Sequence, residues 1–357
     1  MASERTTTVA ETEPPVRPAR TARLVWALSG INLTVVIIVM LLVFVVSERW
    51  WVSTAMLYLP RAPWAIPSLV LAIAGLIWHR PSLWINVLAF LMVLGPLMEF
   101  RAPGFTGPLL TSTDTKTGVL RVVSCNVQAY KPNFADVLRE VHQFKPDVVA
   151  FQEARGNHPL LTESFPDWYH LHHDYFFVTS RFPLKEIAQI ETEAFDRPTA
   201  MLVEVETPDG LVVLADLHLM TARRGLKNIN KGSLLNGEAS GDVESFQILR
   251  DAEMAELRQA MEPHVNGRPL IACGDFNTPS SSSLFQEHWG DLKSSFDLAG
   301  VGFGYTAPVK THTNWLSHTP WARIDHILCS PEWNVQRCII GRSIGSDHHL
   351  IAAELVR

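Results

Sequence analysis

Residues 271–280 read IACGDFNTPS, an apolar run that ends with an aspartate and an asparagine one residue apart. In a β-strand, side chains two residues apart point to the same side, so Asp275 and Asn277 would lie together where the strand ends. Glycine, aspartate, asparagine and proline are also turn formers, so an ordinary turn explains the stretch as well when it is taken alone. The rest of the chain has to decide between a turn and a functional site.

Strand-like stretches like this one recur along residues 119–357. Apolar runs that predict strands lie at 119–127, 146–153, 175–183, 199–207, 211–219, 269–276, 322–330, 335–340 and 349–356. Apolar side chains at helical spacing predict helices at 133–144 and 244–261. Because strands dominate and helices fall between them, the pattern favours two packed sheets with helices outside.

Polar side chains stand at or near the ends of these predicted strands. They are Asn126, Glu153, His218, Asp275, Asn277 and Asp325, with Asp347 and His348 just before the last strand. Each alone has an ordinary explanation as a cap, a solvated acid or a satisfied core histidine. Eight such groups at the ends of apolar strands favour one shared site.

The residue types in this set suit a particular chemistry. Oxygen ligands from Asn126, Glu153, Asp347 and Asp275 would form a hard site for Mg²⁺ or Mn²⁺ rather than a zinc site. Such a cation polarises a phosphoryl oxygen, and a histidine held by a carboxylate can move a proton at neutral pH. The set therefore predicts hydrolysis of a phosphate ester by water.

The motifs SCNV, FQE, DLHL, GDFN, RIDHIL and SDHH occur in this order in the sequence. They resemble those of the endonuclease/exonuclease/phosphatase superfamily, over roughly residues 118–357. The resemblance implies an α/β four-layer sandwich, in which two mixed β-sheets are flanked by helices. It also implies a Mg²⁺-dependent or Mn²⁺-dependent phosphatase or phosphodiesterase.

The resemblance further implies a role for each of the oxygen-bearing side chains. Asn126 and Glu153 would help to bind the metal, with Glu153 as the direct ligand, while Asp347 would complete the metal or water site. Asp275 would orient or deprotonate that water, and Asn277 would hold the phosphoryl oxygens of the substrate.

The resemblance also implies a role for each of the two histidines. His348 would contact the scissile phosphate and be oriented by Asp325, while His218 would donate to the phosphate or the leaving group. Arg323 is predicted to bind substrate together with Asn277 and His218, and Asp174 is a candidate to orient His218.

The first hundred residues have a different composition, with three long uncharged stretches. Leu24–Ser47 is long enough to cross a bilayer, which takes about 20 apolar residues, and is too long for a signal peptide. Ala62–Trp78 and Pro81–Met98 are separated only by His79 and Arg80, which predicts a transmembrane hairpin. One re-entrant segment is the alternative for this pair.

The predicted organisation has four parts. A disordered cytoplasmic tail (1–23) precedes a membrane domain with three transmembrane helices (24–99), a linker (100–118) and the catalytic domain (119–357). Three arginines lie just before the first span, and the positive-inside rule places them in the cytoplasm. The prediction is a multi-pass protein of a bacterial-type inner membrane with an extracytoplasmic catalytic domain; an even number of spans would reverse it.

Charge and anchoring bear on the substrate. Residues 101–357 hold 23 basic and 31 acidic side chains, so the domain has no broad attraction for nucleic acid. The lipid bilayer is the predicted partner and a phosphorylated lipid the predicted substrate. The architecture resembles membrane phosphatases linked to teicoplanin resistance, which act on isoprenoid pyrophosphates. No protein partner is evident.

Two alternatives stay open at this point. One is a membrane-tethered extracytoplasmic nuclease, for which Arg223, Arg224, Lys227 and Lys231 could form a basic groove. The other is a catalytically inactive binding domain. The sequence also leaves open whether Cys329 and Cys338 form a disulfide.

Overall fold

A computed structural model of the chain describes most of its residues. The described ranges are 19–102, 118–131, 133–156, 158–194, 197–222, 225, 238–309, 319–342 and 345–357. Most of the predicted cytoplasmic tail, most of the linker and the four basic residues of the predicted groove (Arg223, Arg224, Lys227 and Lys231) lie outside these ranges.

The chain divides into two compact units. One comprises Met1–Ile37 with Ala62–Val93, and the other comprises Ile38–Arg61 with Leu94–Arg357. The second unit therefore includes two segments of the predicted membrane domain in addition to the predicted catalytic domain.

Four helices precede the sheets: α1 (Ala19–Leu41), α2 (Trp51–Tyr58), α3 (Ala65–Trp78) and α4 (Arg80–Met92). Among the described residues, two helical stretches are long and apolar enough to cross a membrane, Arg20–Arg49 and Arg80–Leu97. A third span is obtained if Trp51–Tyr58 and Ala62–Trp78, bent by 96°, count as one. The structure thus gives two or three candidates where the sequence predicts three.

Small and polar side chains line the helix contacts within the first unit. The Nδ2 of Asn32 donates to the Oγ of Ser68 at 2.9 Å and to the Oδ1 of Asn86 at 3.2 Å. A Cβ at Gly75 would lie 2.7 Å from the backbone nitrogen of Leu83, so α3 and α4 approach closely only because this residue is glycine. Both features are typical of helices packed in a membrane.

Twelve strands are described in the second unit. They are β1 (Val119–Asn126), β2 (Val148–Gln152), β3 (Tyr169–His173), β4 (Phe176–Ser180), β5 (Leu184–Glu191), β6 (Pro198–Thr207), β7 (Gly210–His218), β8 (Leu270–Asp275), β9 (Lys293–Ser294), β10 (Asp325–Cys329), β11 (Asn334–Ile340) and β12 (Ile351–Val356). They form two six-stranded sheets, ordered β11-β12-β1-β2-β4-β3 and β5-β6-β7-β8-β10-β9.

Five helices accompany the sheets: α5 (Phe134–Gln143), α6 (Pro159–Glu163), α7 (Glu238–Val265), α8 (Ser283–Trp289) and α9 (Ser295–Ala299). One apolar cluster is shared by the facing sides of the two sheets. A second cluster joins the outer face of the second sheet to α7 and α8, and a third joins the outer face of the first sheet to α5 and α6. The predicted four-layer sandwich of two mixed sheets is confirmed.

Strand direction explains why one end of the sandwich is polar. In each sheet the central pair is parallel, β1 with β2 and β7 with β8. The neighbours β12 and β10 run antiparallel to β1 and β8. In the first sheet, the carboxyl ends of β1 and β2 therefore lie at the same end as the amino end of β12. In the second sheet, the carboxyl ends of β7 and β8 lie at the same end as the amino end of β10. We call this end of the sandwich the polar edge.

All four cysteines are buried and free. Cys273, Cys329 and Cys338 belong to the cluster between the sheets, and Cys125 belongs to the cluster below α5. They pack as small hydrophobic side chains, and Cys329 and Cys338 are not joined in a disulfide.

A buried network of charges lies behind the polar edge in the second unit. Glu99 is 4% exposed, and its Oε1 accepts from the Nη1 of Arg61 at 3.0 Å. Its Oε2 accepts from the Oγ of Ser280 at 2.9 Å and lies 3.5 Å from the Nη2 of Arg323. Burial alone would raise the pKa of Glu99, but the two guanidiniums and the serine hydroxyls outweigh burial and lower the pKa to about 2.

This network predicts how stability depends on pH. Because the pKa of Glu99 is lower in the folded chain, its contribution is complete above about pH 4.5 and is lost as the pH falls towards 2. The whole shift corresponds to about 3 kcal/mol. In detergent, the difference in unfolding free energy between wild type and Glu99→Gln should shrink over this range. A difference that stays constant from pH 5 to pH 2.5 would contradict the ion network.

Candidate functional site

The structure brings most of the predicted polar residues together at one edge of the sandwich. Asn126 ends β1, His218 ends β7, Asp275 ends β8 and Asp325 begins β10. Glu153 directly follows β2, Asn277 lies two residues after β8, and Asp347 and His348 lie three to four residues before β12.

The carboxylate of Asp275 lies at the centre of this cluster. Its Oδ2 accepts from the Nδ2 of Asn126 at 3.0 Å, and it lies 3.7 Å from the Nε2 of His218 and 3.6 Å from the Nε2 of His348. Its Oδ1 accepts from the backbone nitrogen of Asn277 at 2.9 Å. Asp275 is 1% exposed, so these partners replace nearly all of its water.

The loop after β8 is both a turn and a part of the cluster. The bond from Asp275 to the backbone of Asn277 is an Asx-turn, which accounts for the turn-forming composition of the opening stretch. Asn277 has a φ of +49°, and its Nδ2 donates to the carbonyl of Leu219 at 2.9 Å. A non-glycine residue in this region is strained, and such strain is concentrated at functional sites.

Gly274 allows the two strands of the parallel pair to meet at this edge. Gly274 pairs with Leu217 and has a φ of +138°. A Cβ at this position would lie 2.0 Å from the carbonyl oxygen of Leu217, which no side chain tolerates. The glycine of GDFN is therefore required by the close approach of β7 and β8, next to the residue that carries the central carboxylate.

His348 is held by an acid. Its Nδ1 lies 2.8 Å and 3.0 Å from the two carboxylate oxygens of Asp325, to which it donates a hydrogen bond. Burial alone would lower the pKa of His348, but the carboxylates of Asp325 and Asp275 outweigh burial and raise that pKa. His348 is therefore an imidazolium whose Nε2 faces Asp275.

His218 is hydrogen-bonded to a cationic side chain. The Nη1 of Arg197 donates to the Nδ1 of His218 at 2.6 Å. Burial lowers the pKa of His218 well below its ordinary value, and Arg197, His348 and Arg155 lower it further. Because a guanidinium can only donate, Nδ1 is the acceptor, and the neutral ring carries its proton on Nε2. That nitrogen lies 3.6 Å from the Oε1 of Glu153.

The sequence did not predict this arginine, and it pointed to a different partner for His218. Asp174 accepts from the Nε2 of Gln189 at 3.2 Å and has no bond to His218 among the described contacts. Arg197 lies in a turn that precedes β6, where no apolar periodicity marks it. Its contact with His218 joins neighbouring strands of one sheet, which a linear pattern does not reveal.

The carboxylates of Glu153 and Asp275 both accept from the side chain of Asn126. Their oxygens are the kind of ligand that a hard cation prefers. The Nδ2 of Asn126 donates to the Oε1 of Glu153 at 3.3 Å as well as to Asp275, while its Oδ1 accepts from the backbone of Gln128. Asn126 therefore presents its amide nitrogen, rather than a ligand oxygen, to the acids. Glu153 has a φ of +57°, a second strained position in the cluster.

Asp275, Asp325 and His348 also lie close enough together to be considered as a metal site, with ligand atoms within 4.8 Å of one another. His348 and Asp325 are already bonded to each other, and a protonated imidazole is not a metal ligand. The donor set of Glu153 and Asp275 fits Mg²⁺ or Mn²⁺ better, because both supply oxygen. The backbone carbonyl of Asp347 accepts from the backbone nitrogen of Val309 at 2.7 Å, and its half-buried carboxylate is one of the charges that raise the pKa of the adjacent His348.

Arg323 is not part of the cluster, contrary to its predicted role in substrate binding. Its side chain is fully buried, and its Nη2 donates to the Oγ of Ser280 at 2.7 Å and to the Oδ1 of Asp297 at 2.8 Å. It also lies over the ring of Phe296. These contacts hold neighbouring loops together, and they leave no surface of this guanidinium for a substrate.

A further buried acid, Asp216, lies on β7 two residues before His218. Asp216 is fully buried, and its Oδ1 accepts from the Nε2 of Gln152 at 2.5 Å. Among the residues that the structure describes, the Oδ2 of Asp216 and the Oε1 of Gln152 have no hydrogen-bond partner. Burial raises the pKa of Asp216 well above its ordinary value. Burial disfavours the charged form of this carboxyl, and the hydrogen bond from Gln152 only partly opposes burial, so the environment favours a neutral Asp216.

This assignment predicts that Asp216→Asn stabilises the protein. The raised pKa means that wild-type stability falls as the pH rises above about 4, the ordinary value for aspartate, whereas the amide has no proton to lose. The gain in unfolding free energy should therefore grow with pH in chemical denaturation at pH 4–8. Asp209→Asn, in an exposed turn, is the matched control. A variant less stable than wild type at pH 8 would contradict a neutral Asp216.

Comparison with known proteins gives one family match. A family model described as "Endonuclease/Exonuclease/phosphatase family" matches residues 123–348, which is more than half of the chain and includes the whole cluster. No curated protein matches the chain.

Solved structures with a similar arrangement include three of low sequence identity. An endonuclease/exonuclease/phosphatase from Beutenbergia cavernae is 18% identical, with 67% of this chain and 72% of that chain covered and a TM-score of 0.46. The D. rerio TDP2, in complex with a single-strand DNA product, is 14% identical, with 67% and 99% covered and a TM-score of 0.48. A 3′ phosphatase, NExo from Neisseria bound to a product DNA hairpin, is 17% identical, with 67% and 100% covered and a TM-score of 0.49.

Proposed function

The chain belongs to the endonuclease/exonuclease/phosphatase family, and on that premise we propose that it removes phosphate from a phosphorylated membrane lipid by hydrolysis. The observation that carries the proposal is the buried carboxylate of Asp275 between two histidines of opposite character. One is protonated and held by an acid, and the other is neutral and held by an arginine. Such a pair supplies a positive charge and a neutral hydrogen-bond donor around one attacking water.

Glu153 would hold Mg²⁺ or Mn²⁺, with Asn126 orienting its carboxylate through the amide nitrogen and Asp347 as a further oxygen ligand; the cation would polarise a phosphoryl oxygen when bound. Asp275 orients the attacking water and accepts its proton. Burial raises the pKa of Asp275, although His348 opposes this, so its carboxylate is a stronger base than an ordinary aspartate. Asn277, fixed by Leu219 and by Asp275, lies where it can contact the phosphoryl oxygens.

The two histidines take different parts in the reaction. The imidazolium of His348, oriented by Asp325, stabilises the negative charge that develops on the phosphoryl group. His218 holds its proton on Nε2 because Arg197 donates to the other ring nitrogen. From that atom it can donate a hydrogen bond to the leaving oxygen and stabilise the charge that develops there, while the ring keeps its proton.

The substrate class follows from the setting of the site. Two or three helices long and apolar enough to cross a membrane precede the catalytic residues, and residues 101–357 are acidic overall. An acidic domain has no broad attraction for a polyanion, whereas a phosphorylated lipid is concentrated by the membrane itself. We infer an isoprenoid pyrophosphate as the substrate, acted on at the outer face of a bacterial-type inner membrane.

Phosphate release tests this proposal directly. Purified full-length protein in detergent with Mg²⁺ should release phosphate from an isoprenoid pyrophosphate and should leave plasmid DNA intact. Asp275→Asn and His348→Gln should each lower the rate by roughly 10²–10⁴-fold, because each removes a proton acceptor or a charge from the transition state.

The adjacent His349 provides a matched control, because it is half-buried and its backbone donates to Thr306 rather than to the cluster. His349→Gln should retain activity within a few-fold. Nicking of plasmid DNA without phosphate release would contradict the lipid substrate and indicate a tethered nuclease. Absence of both activities in the wild type would indicate a binding domain.

A further inference from the structure

Four consecutive serines follow the catalytic loop. They form Ser280–Ser283, beginning three residues after Asn277; Ser282 is the N-cap of α8 and Ser283 is its first residue. Their partners come from two segments more than 170 residues earlier in the chain, 47–61 and 94–101, which we name the collar. Both the collar and the serine run belong to the second compact unit.

Ser280 and Ser281 are held by the Arg61–Glu99 pair. The Oγ of Ser280 donates to the Oε2 of Glu99 at 2.9 Å, and the Nη2 of Arg61 donates to the Oγ of Ser281 at 2.9 Å. Arg61 also donates to the carbonyls of Leu57 and Leu97 at 2.9 Å and 2.8 Å. This one guanidinium therefore joins both collar segments to the serine run.

Ser282 and Ser283 are held by Glu48. The Oγ of Ser282 donates to the Oε1 of Glu48, and the Oγ of Ser283 donates to its Oε2 at 2.9 Å. The backbone nitrogen of Ser283 donates to the same Oε2 at 3.1 Å and to the Oγ of Ser47 at 2.9 Å. Every serine of the run thus has a partner in the collar.

The charges that make these contacts are buried. Glu48 is 6% exposed, Arg61 6% and Glu99 4%. An exposed ion pair contributes little to the stability of the fold, but a buried charge that loses its partner strongly destabilises it. These buried contacts therefore fix the position of the serine run relative to the collar. A flexible tether would need none of them.

The serine run connects to the catalytic residues on two sides. Ser280 accepts from the Nη2 of Arg323 at 2.7 Å, and Arg323 lies two residues before Asp325, the partner of His348. On the other side, the Nη2 of Arg250 donates to the carbonyl of Asn277 at 3.1 Å, and the guanidinium of Arg250 lies over the ring of Tyr58 in the collar. Collar contacts therefore reach the loop of Asn277 from both ends.

We propose that the collar is a positioning element of the catalytic site: Glu48 and the Arg61–Glu99 pair hold Ser280–Ser283 so that Asn277 and Asp325 keep their catalytic positions. The effect on turnover rests on the proposed function. The candidate spans end at Arg49 and Leu97, so Glu48 lies within the last turn of one and Glu99 lies just beyond the other. Catalysis would then depend on the ends of the membrane segments as well as on the sandwich.

The test uses full-length protein in detergent with Mg²⁺ and two probes, an isoprenoid pyrophosphate and the soluble diester bis-p-nitrophenyl phosphate. Glu48→Gln should lower kcat at least tenfold on whichever probe the wild type hydrolyses, with KM changed less than threefold. Ser281→Ala, which removes a hydroxyl without stranding a buried carboxylate, should lower kcat about threefold. Glu186→Gln, at an acid that contacts His173 on β3, is the matched control and should match wild type.

Hydrogen–deuterium exchange gives a readout that does not require activity. In Glu48→Gln, amides of residues 276–284 should exchange at least tenfold faster, while β1 and β6 exchange as in wild type. Unchanged kcat with unchanged exchange would overturn the proposal and make the collar a passive tether. Uniformly faster exchange across the sandwich would also overturn it, since that shows a general loss of stability. If the wild type hydrolyses neither probe, the proposed function fails, and exchange alone decides whether the collar positions the loop.

Discussion

The contact between the Asp275 carboxylate and the amide of Asn126 is the interaction on which the rest of the structure depends. The two residues end the central strands of different sheets, so their 3.0 Å hydrogen bond joins the two layers at the polar edge. A carboxylate that is 1% exposed is costly unless it is paired. Asn126, His348 and the backbone of Asn277 provide that pairing. The remaining edge residues are arranged around this requirement.

The two histidines show how one cluster gives two imidazoles different chemistry. His348 and His218 both lie within 4 Å of the same carboxylate oxygen, and both are buried. The partner of Nδ1 differs between the two rings. An Asp325 oxygen accepts from Nδ1 of His348 and favours its protonated form, while the Arg197 guanidinium excludes a proton from Nδ1 of His218. The same residue type thus supplies a positive charge at one position and a neutral hydrogen-bond donor at the other.

Much of the fold and of the cluster could be predicted from the sequence, because both follow local patterns. Apolar runs gave the central strands, and the side chains that interrupt those runs, such as Asn126, Asp275 and His348, lie together in the structure. The edge strands β3 and β5 were missed because their half-exposed faces weaken the apolar run. Arg197, the collar contacts and the burial of Arg323 depend on partners distant in the chain or on neighbouring strands. Arg323 stands in the RIDHIL motif, yet its side chain points inward to Glu99 and Ser280.

The central claim is that the polar edge holds a divalent cation beside Asp275, and binding of Mn²⁺ tests this most directly. Titration of the full-length protein with Mn²⁺, followed by electron paramagnetic resonance, should show one site. Glu153→Gln should weaken that site at least tenfold, because it replaces an anionic oxygen ligand with a neutral one. Glu186→Gln, which alters an exposed acid, should leave the site unchanged. Equal affinity in wild type and Glu153→Gln would contradict the account.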